Sequence, residues 1–89
     1  MKPEYMTEGN VAKEKELSDI ALVSYLACRD YKIKKIRKDR EKSWFCFEDT
    51  ESLEKDIMAF LNREATVDPL RFSETLRNLK SLARQGERT

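Results

Sequence analysis

The 89-residue chain has no histidine, and its only two glycines, Gly9 and Gly86, sit near its ends. Everything from Asn10 to Gln85 must fold without glycine. That excludes the glycine-rich turns that cradle phosphates and dinucleotides, and the missing imidazole removes a common metal ligand and general base. The two cysteines, Cys28 and Cys46, form no CxxC pair and cannot complete a four-ligand zinc site within one chain. They read as buried free thiols of a reducing compartment. No apolar run approaches the ~20 residues of a membrane span, and Met1 to Asn10 lacks the apolar core of a secretion signal, so the expected location is cytoplasmic.

What the chain has in abundance is charge of both signs. Its 18 basic and 17 acidic residues nearly cancel, so any pull toward nucleic acid or a membrane must come from local clustering rather than a global field. A chain of this length is one domain, and a folded monomer of this size buries only about 60 to 65% of the surface its unfolded form exposes. A second copy is one way to supplement so small a core.

Residues 1–12 are mixed and aperiodic, and an unstructured tail is expected there and at 86–89, leaving a single domain over 13–85. A short extended stretch, Lys13 to Leu17, can precede a helix capped by Ser18 with Asp19 in its first turn. From Ile20 to Cys28 only Ser24 is polar, so this helix should be buried on more than one side. Asp30 tolerates a left-handed turn and ends it. Two strands are expected next, Tyr31 to Arg37 and Ser43 to Glu48, joined by a loop at Lys38 to Lys42. Ile36 falls out of phase with Tyr31 and Ile33, which suggests a bulge near Lys34 and Lys35. In the second strand Phe45 and Phe47 face one way, Trp44 and Cys46 the other.

Asp49 or Thr50 should cap a second helix whose buried stripe is Leu53, Ile57, Phe60 and Leu61, ending near Arg63 and Glu64. Asp68 as N-cap, Pro69 in the first turn and Val67 positioned to meet Phe72 announce a third. Its apolar stripe is Phe72, Leu76, Leu79 and Ala83 with Leu82 beside it, and its opposite stripe is Ser73, Arg77, Lys80 and Arg84. The expected fold class is α+β: an antiparallel hairpin, which Lys13 to Leu17 can widen to three strands, packed with three helices.

The run Ser18-Asp19-Ile20-Ala21-Leu22 with Tyr25-Leu26, the strand Phe45-Cys46-Phe47-Glu48-Asp49-Thr50, and Val67-Asp68-Pro69 with Phe72 resemble the signature of a small prokaryotic family known only as a domain of unknown function. The resemblance spans about Leu17 to Leu82. Members of that family usually carry Gly before the first-strand tyrosine, where this chain has Asp30, and often Thr near Leu17. The family implies a fold and assigns no catalytic residue or ligand.

Three constellations could carry function. The first is the hairpin, where Arg29 to Lys42 holds eight basic residues against three acidic ones and leads into Trp44 and Phe45. Lys32, Lys34, Lys35, Arg37, Lys38, Arg40, Lys42 and Trp44 could form a phosphate-binding ribbon with a stacking ring. Lysines on a sheet edge also prevent edge-to-edge aggregation, and that use is preferred because no recognised nucleic-acid module accompanies them. The second is a charge asymmetry: 48–68 holds seven acids and two bases, whereas 69–89 holds five bases and two acids. Such blocks pair within one fold or between two copies, and Arg77, Lys80 and Arg84 could extend a basic surface. The third is Glu48, Asp49, Glu51 and Glu54, which could hold a divalent cation but stand where a helix start favours acids anyway.

Without histidine a Ser or Cys nucleophile needs an unusual base, so no catalytic role and no cofactor are expected. The expected function is a small cytoplasmic protein-interaction or regulatory module whose first partner is itself, as a homodimer contacting through Trp44 or the C-terminal helix. The alternative is a nucleic-acid-binding accessory protein using the hairpin.

Overall fold

The computed structural model describes residues 13–88, with side chains described through Arg84. The chain runs β1 (Glu14–Leu17), α1 (Ile20–Cys28), β2 (Lys35–Asp39), β3 (Lys42–Glu48), α2 (Glu51–Leu61) and α3 (Pro69–Arg88). β3 is central in an antiparallel sheet of order β1-β3-β2, so the α+β expectation holds with its third strand present. The tail expected at 1–12 lies outside the described residues, as does Thr89, and α3 continues through the 86–88 stretch.

α1 is the middle of the core. Leu22 through Leu26 and Cys28 are buried, and the one polar member, Ser24, donates its hydroxyl to the Ile20 carbonyl at 2.7 Å. Phe45, Phe47, Leu53, Ile57 and Leu79 close around it from β3, α2 and α3. The cap is Asp19 rather than Ser18: its Oδ1 accepts from the Ala21 and Leu22 N–H groups at 3.0 and 3.4 Å, two of the orphan donors that every helix start must satisfy.

With no glycine available, the left-handed positions fall to Asp30 (φ 72°), Arg40 (φ 58°) and Arg63 (φ 62°). Two of them close helices in the same way. After α1 the Tyr31 and Asp30 N–H groups return to the Leu26 and Ala27 carbonyls, and after α2 those of Glu64 and Arg63 return to Ala59 and Phe60. Each pair is a Schellman motif, whose left-handed residue is usually glycine.

The hairpin starts later and turns more tightly than expected. Tyr31 to Lys34 is not strand, because the Tyr31 N–H is spent on the helix end and its hydroxyl lies 2.7 Å from Asp56 and 2.8 Å from Ser52. The Lys34 N–H reaches the Cys46 carbonyl at 2.7 Å beside the Lys35–Cys46 pairing, so two residues oppose one, as in a bulge. Lys38 and Asp39 continue the ladder to Ser43 and Lys42, leaving only Arg40 and Glu41 as the turn. The positive φ at Arg40 is what the first central position of a two-residue hairpin turn requires.

α2 begins on Thr50, whose Oγ1 accepts from the Leu53 N–H at 3.1 Å, and it ends earlier than expected, leaving Leu61 60% exposed rather than in the core. Asp68 caps α3 through the Arg71 N–H at 2.9 Å. Leu79 is that helix's buried anchor, whereas Leu76 is only half-buried and Leu82 is exposed. α3 lies antiparallel to α1: Cys28 meets Thr75 and Asp30 meets Arg71 at one end, while Ile20 lies beside Ala83 and Arg84 at the other.

Candidate interaction surfaces

The sheet has a core face and an outer face, and register assigns each residue to one of them. Leu17, Phe45, Phe47 and Ile36 fall on the core face with Lys15 and Lys38, while Glu14, Glu16, Trp44, Cys46, Lys35 and Arg37 fall on the outer face. β1 thereby sets two glutamates across β3 from the basic strand. Arg37 reaches over β3 to grip Glu16 with two hydrogen bonds of 2.9 Å, and it also approaches Asp39 at 3.7 Å. Glu14 takes Lys34 at 3.4 Å and Lys35 at 3.8 Å.

These pairs shape the local electrostatics. The Cys46 thiol, with Lys34 and Lys35, holds the Glu14 carboxyl below the usual carboxylate range, and Arg37 does the same for Glu16. Cys46 itself is fully buried, its thiol 3.2 Å from Glu14, and burial together with that carboxylate pushes its ionisation up, away from the thiolate that reactivity requires. Trp44 is half-buried between two cations, with Arg37 5.6 Å and Lys42 5.4 Å from its ring centre, and its buried Nε1 has no acceptor among the described residues.

Of the remaining hairpin residues, Lys38 meets the Ser43 hydroxyl at 3.2 Å, Arg40 occupies the turn, and Lys32 is exposed in the segment before β2. Arg77, Lys80 and Arg84 line the exposed side of α3, a helix that packs with α1 on the opposite face of the sheet from Trp44. The structure therefore does not join the two basic groups into one surface.

At the acidic cluster, Glu54 hydrogen-bonds Lys15 at 2.7 Å, which holds its carboxyl low and raises the lysine. The neighbouring Glu54 carboxylate raises the Asp49 carboxyl. Glu51 and Glu54 stand in the first turn of α2, where the helix dipole favours them. Among the described residues no three side chains of the His, Cys, Asp and Glu types are disposed to hold a metal ion. A cleft of about 460 Å³ opens nearby between Tyr31, Lys32, Phe47 and Ser52. Its rim carries Lys34 and also Asp30 and Glu48, so its charges select no single class of ligand.

Sequence reasoning missed one feature. Along α2, Glu51, Lys55, Met58 and Asn62 form a solvent-facing stripe over a shallow groove of about 370 Å³ that reaches Ala59 and Glu64. Met58 is 52% exposed, and Leu61, three residues on, is its neighbour on the helix surface. The available signal was the helical spacing of Glu51, Lys55, Met58 and Asn62, which lies beside the stripe that faces the core.

The fold and its surfaces define a small βαββαα domain with one helix-covered sheet face and one charge-laced face. By its sequence the chain belongs to the family described as domain of unknown function (DUF5659), which matches residues 12–85. No curated protein and no solved structure matches it. No helix among the described residues is long and apolar enough to cross a membrane.

Proposed function

We propose that this chain is a non-catalytic protein-interaction module of the cytoplasm that associates with a second copy of itself. The observation that carries this is the exposure of large apolar side chains on so small a domain: Met58 at 52%, Leu61 at 60%, Leu70 at 68% and Leu82 at 47%. Single exposed leucines are ordinary on any protein, but Met58 and Leu61 adjoin on one helix and form a patch. The free, buried thiols of Cys28 and Cys46 suit a reducing compartment.

The competing nucleic-acid role is weakened by β1. Counted along Arg29 to Lys42 the ribbon is strongly basic, yet Glu14 and Glu16 fold against Lys34, Lys35 and Arg37 and compete with any phosphate for them. Light scattering at tens of micromolar should give twice the 10.5 kDa chain mass, and a monomer there refutes the proposal. A salt titration against mixed-sequence DNA and RNA should show no steep salt-dependent binding, and a steep slope would favour the alternative.

A further inference from the structure

Among the described residues the acidic and basic halves of the C-terminal sequence form no ion pair with each other. Glu54 is taken by Lys15, Asp56 by Arg29 and Tyr31, and Arg71 by Asp30. Among the described residues no ion pair joins the acids of α2 to Arg77, Lys80 or Arg84. Two complementary surfaces are left over. One is the shallow α2 groove, where exposed Met58 stands between Glu51 and Glu64, with exposed Leu61 beside it on the helix. The other is a groove of about 440 Å³ with Ile20 and Ala83 in its lining and Lys80 and Arg84 at its edge.

We infer that the α2 face of one copy docks into the α1–α3 groove of a second, Met58 entering between Ile20 and Ala83 while Glu51 and Glu64 meet Lys80 and Arg84. The inference rests on the self-association proposed above and specifies its surface. Methionine suits the role, because its unbranched, polarizable side chain fills irregular gaps. The paired rims fix partner and orientation, since like charges brought together there oppose association. Each chain carries both surfaces, so in the proposed twofold pair each copy gives its α2 face to the other's groove. Lys55 lines the same groove, along the stripe between the two glutamates.

Two charge-reversed variants test this, Glu51→Lys/Glu64→Lys and Lys80→Glu/Arg84→Glu, all at exposed positions. Each alone places like charges at both contacts and should weaken the dimer by about a hundredfold or more, giving monomers at tens of micromolar. Mixed in equal amounts they restore opposite charges at both contacts and should return to the dimer mass. If wild type is itself a monomer, the self-association proposal fails and takes this inference with it. If wild type is a dimer and both variants remain dimers, or become monomers that do not recombine, self-association stands and this surface is wrong. Met58→Ser leaves every charge in place, keeps the test informative should a reversed variant misfold, and should weaken the dimer at least about tenfold; an unchanged dimer overturns the inference.

Discussion

Arg63→Gly should make this protein more stable although it removes a charged side chain and adds no contact. Arg63 holds φ 62° immediately after α2, is exposed, and makes no ion pair among the described residues. A Cβ in the left-handed region costs about 1 to 2 kcal/mol. Glycine removes that cost but gives the unfolded chain extra freedom worth about 0.4 to 1 kcal/mol. The difference is a net gain of roughly 0.5 to 1 kcal/mol, or an increase in Tm of about 3 to 6 °C for a domain of this size. Circular-dichroism melts and urea titrations at one fixed protein concentration would read it, the midpoint rising with an unchanged slope. Arg63→Ala, which keeps the Cβ, should gain nothing. Asp30→Gly should gain less than Arg63→Gly, because aspartate tolerates this region and Asp30 also holds Arg71 at 3.2 Å. A neutral or destabilising Arg63→Gly, or an equal gain from Arg63→Ala, would show that the backbone at this helix end carries no relievable strain.

Local signals were the legible part of this fold. Asp68, Pro69 and Val67 mark the start of α3, the apolar run from Ile20 to Cys28 marks the central helix, and Asp30 marks its left-handed end, because each depends on residues a few positions apart. The errors arose where distant residues compete. Tyr31 reads as a strand residue from its neighbours, but Ser52 and Asp56 hold its hydroxyl and the end of α1 takes its N–H. Leu61 and Leu82 fit helical stripes that run past the edge of the core, and periodicity alone does not show where a core stops.

The same contrast governs the candidate site. The hairpin's excess of positive charge is a property of a sequence window, whereas its surface includes whatever strand pairs beside it. Glu14 and Glu16 alternate with Lys15 and Leu17, so once β1 pairs with β3 both glutamates must share the face of Arg37 and Lys35. The Met58 stripe on α2 escaped for the opposite reason: it is local, but an exposed methionine between glutamates gains meaning only against a groove built from α1 and α3.

Leu79→Ala should cost about 2 to 5 kcal/mol by opening a cavity, and half-buried Leu76→Ala clearly less; equal losses in urea unfolding would mean that α3 is rotated from the orientation described. Asp68→Ala should lower stability by about 1 kcal/mol, with Asp68→Asn retaining most of it, and a harmless alanine would show that the Arg71 N–H is satisfied elsewhere. Glu14, Glu16 and Glu54 ionise below their unfolded value of 4.5, so their contribution is present above that pH and is lost as pH falls through their folded values. The raised Asp49 opposes this in sign, and thermal melts should therefore fall below about pH 4.5, less steeply in Glu16→Gln. Finally, Glu14→Gln/Glu16→Gln should convert an inert hairpin into one that binds nucleic acid weakly and non-specifically. Freeing Lys34, Lys35 and Arg37 restores cations that can release counterions from phosphate, so binding to mixed-sequence DNA should appear at low salt and vanish as salt rises, with wild type showing none. Wild type that already binds with a steep salt slope, or a variant that stays inert, would mean that the two glutamates do not decide what this face of the sheet can hold.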